Sequence, residues 1–223
     1  MNREDYTQMV RNLPSCPGII GRELYSRSAV LAPFVFSAGE YHLLFEKRSP
    51  GIRQGGEICF PGGGVEEGHD SGSRDTAIRE TVEELGLDKN SIRIDGQADS
   101  VIAAMGAAIE VYVGELMISS VDECRINSSE VDEIFLVPVR YFREHPPDEY
   151  ELHLEIKPSY YDEKGNEVVL LPVQELGLPE RYARPWKGRN YGILVYTYEN
   201  HVIWGITARI VHALVSRQEK RGG

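Results

Sequence analysis

The stretch "PGGGVEEGHDSGSRDTAIRETVEELGL", residues 61–87, decides how this chain is read. Residues 61–73 carry five glycines, so regular structure is not expected there. From about Arg74 to Leu85 the pattern turns helical, with Ser73 as N-cap and Gly86 as terminator. Ile78, Val82 and Leu85 form the apolar stripe. Glu80, Glu83 and Glu84 then fall at i, i+3 and i+4, on the side opposite that stripe. Like charges at this spacing repel by roughly 0.2–0.5 kcal/mol per pair. The helix therefore either shows a solvated acidic face or uses the charge. Arg79 favours the solvated-face reading, since it can pair with Asp75 or Glu83 at i±4.

Working outward, "AVLAPFVF" (29–36) and "YHLLFEKR" (41–48) flank "SAGE" and read as a β-hairpin, with Pro33 marking an edge position or a bulge. "ICF" (58–60) is a short strand after the loop 49–57. Further strands are expected at 91–98, 107–116 and 131–139. Residues 3–13 read as a helix ended by Pro14. From 148 to 190 the pattern loosens: strand-like "YELHLEI" and "EVVLLPV" lie either side of a turn at "DEKGN", then comes a Pro-, Gly- and Arg-rich loop. "YGILVYTY" (191–198) is a strand. "HVIWGITARIVHALVSRQ" (201–218) reads as an amphipathic helix burying Ile203, Ile206, Ile210 and Leu214. Strands around a central helix, with helices at both ends, imply an α/β layered sandwich with a mixed sheet. The 223 residues suit a single domain with an insertion at about 148–190.

Composition narrows the function. With 41% hydrophobic and 26% charged residues this is an ordinary soluble composition. Cys16, Cys59 and Cys124 form no CxxC, which argues against a disulfide framework or a zinc site and for a reducing compartment. No leader and no apolar run of membrane-spanning length is evident, so a cytoplasmic location without membrane attachment is expected. A net charge of −11 opposes nucleic-acid binding. It still permits an anionic small molecule if divalent cations lie between substrate and protein.

A strand, a tight glycine run and a carboxylate-rich helix in one unit support that possibility. Glycines let the backbone approach a ligand closely. Carboxylate and carbonyl oxygens are what Mg²⁺ or Mn²⁺ prefer. The combination points to metal-assisted attack of water on a phosphate.

These residues resemble the Nudix box, G-x5-E-x7-R-E-U-x-E-E-x-G-U with U apolar. Arg79, Glu80, Glu83, Glu84, Gly86 and Leu87 fall in register, and Thr81 stands in for a bulky aliphatic. The first half departs: Gly64-x5-Asp70-x8-Arg79 restores the pattern with one extra residue and Asp for Glu. That acidic position braces loop against helix in the family. "LLFEKRSPGIRQGGEICFPGG" (43–63), "EVDEIFLVPV" (130–139) and "IWGITARI" (203–210) resemble the coenzyme A pyrophosphatase branch. The resemblance implies a Nudix-like α/β/α sandwich and a pyrophosphohydrolase using Mg²⁺ or Mn²⁺. The expected reaction cleaves a nucleoside diphosphate linked to another moiety, foremost coenzyme A or its derivatives, to 3′,5′-ADP and a 4′-phosphopantetheine product.

On that resemblance Glu80, Glu83 and Glu84 are the metal ligands, with Glu83 as ligand or base. The carbonyl of Gly62 or Gly63 is a further ligand. Arg79 orients the carboxylates. Glu130 and Glu133 lie where relatives place an additional base or ligand. Arg48 and Arg53 would grip substrate phosphates, against the alternative of solvated loop charges. His69 reads as a loop residue, Cys59 as a small buried one, and Trp204 as core. Alternatives are an ADP-ribose or nucleoside triphosphate pyrophosphatase, and a non-catalytic nucleotide-binding Nudix module. The resemblance is compatible with a homodimer.

Overall fold

The computed structural model describes residues 2–15, 18–66 and 68–216. Cys16, and the last two residues of the expected closing helix (Arg217 and Gln218), lie outside them. Helix α1 (Arg3–Arg11) is capped by Asn2, ends before Pro14 and buries none of its residues.

Eight strands build the main sheet: β1 (Ser26–Ser37), β2 (Glu40–Arg48), β3 (Ile58–Cys59), β4 (Gly62–Gly64), β5 (Ile92–Gln97), β6 (Val101–Ala103), β7 (Ala107–Leu116) and β8 (Val131–Pro138). The path runs β3-β2-β1-β7-β5, with β4 on β1, β6 on β7 and β8 on β2. β1 and β7 are parallel and the other pairs antiparallel, so the sheet is mixed. The β1–β2 hairpin closes on Ala38 and Gly39, both at positive φ (51° and 87°), as a two-residue turn matched to strand twist requires.

Two apolar layers cover the sheet. On one face, α2 (Ser73–Leu85) packs Ala77, Ile78 and Leu85 against Ala29, Leu31, Val35 and Leu44. On the other, α3 (Val139–Glu144) and α4 (Gly205–Ser216) bury Phe142, Ile210 and Val211 with Leu43, Phe45 and Val111. The result is the expected α/β/α sandwich.

Between α3 and α4 lie β9 (Asp148–Leu152), β10 (Glu155–Ile156), β11 (Ser159–Tyr161), β12 (Glu167–Val169), β13 (Trp186–Lys187), β14 (Tyr191–Tyr198) and β15 (His201–Trp204). β15, β14 and β9 form a three-stranded sheet, and β10–β13 and β11–β12 are two small ribbons. The turn at 162–166 is present: Asp162 accepts from the Lys164 and Asn166 amides, and Gly165 takes φ +80°. Among the described residues no helix is long and apolar enough to cross a membrane.

Several local expectations are corrected. Gly62–Gly64 form a strand, because pairing with Ser28–Val30 supplies the order glycine lacks intrinsically. Pro33 lies in central β1, opposite Gly114 of β7. Its nitrogen shares an edge with Leu31 N–H, which bonds the Pro61 carbonyl. On that edge β4 pairing stops at Val30 and β2 pairing starts at Phe34, so no ladder donor is needed at residue 33. Residues 201–204 form β15 rather than a helical turn, which puts Ile203 in the core and leaves Trp204 43% exposed. Gly72, not Ser73, is the α2 N-cap; the Ser73 hydroxyl instead donates to Glu110 at 2.6 Å. β6 (Val101–Ala103) adds a strand between the expected strands at 91–98 and 107–116.

Candidate functional site

β1 and β2 part beyond the Phe34–Leu43 pair, and β3 and β4 fill the wedge between them. This lays the glycine strand under α2. A Cβ on Gly63 would sit 2.3 Å from Glu80 Oε1, so the Glu80 carboxylate occupies the space a side chain would take. The Gly62 amide donates to Glu84 Oε2 at 2.9 Å. At the far end Gly86 adopts φ +63°, with the Arg125 carbonyl 2.2 Å from where its Cβ would be. Only glycine fits this close approach of chain to helix end.

The three helix carboxylates do not share one outer face. Glu84 is buried (3% exposed), the Glu80 side chain is mostly covered, and Glu83 points outward with 52% of its side chain exposed. The correction follows from β4: a strand without side chains lets the helix face beside Thr81 and Leu85 sink far enough to cover Glu84. Burial, then the nearby Glu46 carboxylate, holds Glu84 well above the ordinary carboxylate range. Burial also raises Glu80, and Arg79 only partly offsets it.

Arg79 is the hub of the site. It donates Nε and Nη2 to the two oxygens of Asp70 at 3.1 and 3.2 Å, and Nη1 lies 2.9 Å from Glu80 and 3.1 Å from Glu83. Asp75, the other expected partner, pairs with the Ser71 hydroxyl instead. Asp70 also accepts from the Glu66 amide and the Thr76 hydroxyl. The Arg79 guanidinium, then these donors, hold its carboxyl far below the usual range, while Asp70 raises Arg79. Asp70 thus ties loop to helix despite the extra loop residue.

The remaining candidates divide. Ser49 N–H bonds the Glu130 carbonyl, joining the 49–57 loop to the start of β8. Arg48 donates Nε to the Arg53 carbonyl at 3.2 Å and lies near enough to Glu46 and Glu84 to favour their charged forms. Glu130 is close enough to repel Glu46 and Glu80. Arg53 is exposed. Glu133 is drawn away: it faces His201 Nε2 at 3.3 Å, on a ring stacked on Phe135. It pairs with Lys47, on the sheet face opposite Glu46. His69 is an exposed loop residue, and Cys59 and Cys124 are free thiols.

One buried group escaped the sequence reading. Glu46, 1% exposed on β2, accepts the Cys59 thiol at 3.2 Å through Oε1, and its Oε2 has no hydrogen-bond partner. An acidic residue inside "LLFEKR", in register with a buried strand face, was the available signal.

A divalent cation fits this donor set. Hard carboxylate oxygens gather on a glycine backbone, one buried oxygen lacks any partner, and buried carboxylates need a cation to offset their repulsion. Among the described residues no three acidic, histidine or cysteine side chains converge into a ready-made ion site. Arg79 holds Glu80 and Glu83 to its guanidinium instead.

A family model described as the NUDIX domain matches residues 26–187. The chain is 34% identical over 143 residues to Nudix hydrolase 3 of Caenorhabditis elegans, covering 59% of this chain and 58% of that protein. It is 32% identical over 127 residues to the peroxisomal coenzyme A diphosphatase NUDT7 of Mus musculus, covering 56% of this chain and 52% of that one. A longer match, 26% identical over 191 residues, joins it to the uncharacterized Nudix hydrolase NudL of Photorhabdus laumondii, covering 85% and 83%. The chain thus spans little more than half the length of the first two relatives.

Proposed function

The chain belongs to the NUDIX domain family, and we propose that it is a divalent-metal-dependent pyrophosphohydrolase acting on coenzyme A or its derivatives. The observation that carries this reading is the packing of Glu80 and Glu84 on the Gly62–Gly63 backbone, with Arg79 and Asp70 locking the helix to the loop. The coenzyme A assignment draws support from residues 43–63 and from the 32% identity to a coenzyme A diphosphatase.

Glu80, Glu83 and Glu84, with a carbonyl of Gly62 or Gly63, would hold Mg²⁺ or Mn²⁺. The bound ion would neutralise diphosphate oxygens and lower the pKa of water. The chain's own groups do the rest. Gly62 N–H fixes the Glu84 carboxylate, so its orientation does not depend on substrate. Arg79 aims Glu80 and Glu83 from one guanidinium, which makes their positions interdependent. Glu83 is the most exposed of the three and can take a proton from the attacking water at a carboxylate oxygen; Glu130, close enough to repel Glu80, is the second candidate base. Arg48, at the end of β2, and Arg53, in the loop that follows, would receive phosphates, where guanidinium geometry favours bidentate contact. Residues 148–190 are read as an insertion in a single domain. Cysteines without a pairing motif favour the cytosol.

A substrate panel tests this. Coenzyme A, ADP-ribose and nucleoside triphosphates are incubated with Mg²⁺ or Mn²⁺, and products are identified by mass spectrometry. Release of 3′,5′-ADP from coenzyme A is expected. Turnover of the other nucleotides alone would remove the coenzyme A assignment, and unchanged turnover in both Glu83→Gln and Glu84→Gln would remove the ligand assignment.

A further inference from the structure

Glu46 does not fit the pattern of its strand. Leu43, Leu44 and Phe45 before it are fully buried and apolar, as packing alone dictates. A carboxylate follows them into the interior, at 1% exposure, where an apolar side chain would cost nothing. One of its oxygens is met by the Cys59 thiol from the neighbouring strand, at the directly opposed Glu46–Cys59 pair. The other oxygen has no partner. Leaving a buried acceptor unsatisfied costs about 1–3 kcal/mol, and more for a charged group.

Its surroundings are also wrong for a purely structural carboxylate. Glu84, Glu80 and Glu130 all lie near enough to repel it, with Arg48 as an opposing charge. An oxygen with no donor, on a side chain close to carboxylates of which two pack on a glycine backbone, matches a cation's requirements. Such an ion satisfies the orphan oxygen and relieves the repulsion together.

We propose that Glu46 is a further oxygen donor of the divalent-cation cradle, to the ion or to a water that it holds. Its carboxylate is oriented by the Cys59 thiol, so the ion is gripped from β2 as well as from α2. This rests on the metal-dependent reading given above. Cys59 acts as a positioning residue: its thiol donates to Glu46 Oε1, and a hard cation prefers the carboxylate oxygen over sulfur.

The test is Mn²⁺ binding by calorimetry and electron paramagnetic resonance, without substrate. Wild type is compared with Glu46→Gln, Glu46→Asp, and Lys47→Gln as the neighbour on the opposite sheet face. Glu46→Gln should weaken Mn²⁺ binding by about 10–100-fold, the scale of losing a supporting group of a metal site, and should alter the Mn²⁺ spectrum. Lys47→Gln should do neither. Glu46→Asp, which keeps the charge but withdraws the oxygen by one methylene, should also weaken binding and covers the case in which Glu46→Gln does not fold. Cys59→Ala should weaken binding, and Cys59→Ser, which keeps a donor, should restore it. Wild-type affinity in the folded Glu46 variants would overturn the proposal and leave Glu46 a structural carboxyl. A wild-type protein that binds no Mn²⁺ would overturn the metal-dependent reading itself.

Discussion

Alanine at two adjacent glycines should give opposite phenotypes, because the two missing side chains make room for different things. At Gly62 an added Cβ would lie 2.3 Å from the Ala29 carbonyl oxygen and 2.7 Å from Val30 Cα. Those are backbone atoms of the central strand and cannot step aside. Overpacking of this kind costs about 1–3 kcal/mol, and at about 2–4 °C per kcal/mol for a chain of this length the melting temperature should fall by roughly 2–12 °C. At Gly63 the Cβ would lie 2.3 Å from Glu80 Oε1 and 2.4 Å from its Cδ, the free end of a flexible side chain. Glu80 can rotate away, so Gly63→Ala should change stability by no more than about 1 kcal/mol. The displaced carboxylate should nevertheless cost about 10–100-fold in Mn²⁺ affinity. Scanning fluorimetry in chelator reads stability, calorimetry reads Mn²⁺, and turnover of the substrate found in the panel reads activity. Gly63→Ala with wild-type affinity and turnover, or Gly62→Ala with wild-type stability, would refute the placement of β4 under α2.

Glu84→Gln should make the chelated protein more stable at pH 8. Burial raises the folded-state pKa of Glu84 above its unfolded value, so the charged form penalises folding increasingly as pH rises above about 4.5. The gain should be of order 1–3 kcal/mol at pH 8 and vanish near pH 4 in denaturant titrations; no gain at pH 8 would mean the carboxylate is not penalised. Asp70→Asn acts in the other direction. Its folded-state pKa is depressed, so its contribution is present above about pH 3.9 and lost as pH falls through the folded value. The variant should melt lower at pH 7, with the gap closing in acid and kcat reduced as Arg79 loses its anchor. A gap independent of pH would indicate that the charge on Asp70 is irrelevant. Gly86→Ala should cost about 1–3 kcal/mol or more, since positive φ and the Arg125 carbonyl both oppose a Cβ there; an unchanged urea midpoint would contradict the helix end described.

The acidic helix was readable from sequence because its determinants are local. The i, i+3, i+4 spacing of Glu80, Glu83 and Glu84 and the terminating Gly86 require only helix geometry, and α2 ends where the glycine implied. The hairpin turn at Ala38–Gly39 and the Asp162 turn are similarly short-range. Strand pairing is not. Whether a glycine run is a loop or a strand depends on whether Ser28–Val30 offers it an edge, and no composition rule carries that information. Pro33 misled for the same reason: its place in a central strand is tolerable only where pairing passes from β4 to β2.

Residue types and spacings therefore determined, by themselves, which carboxylates lie on one helix, that Arg79 sits among them, and that glycine precedes them. Only the tertiary structure decided which carboxylate is buried, that Asp70 rather than Asp75 anchors Arg79, and that Glu46 on β2 comes close to Glu80 and Glu84 of α2. The division has one physical cause. Helix geometry is set by neighbours three or four residues apart, whereas burial and electrostatic environment are set by elements brought together across the sheet, here β2, β4 and α2.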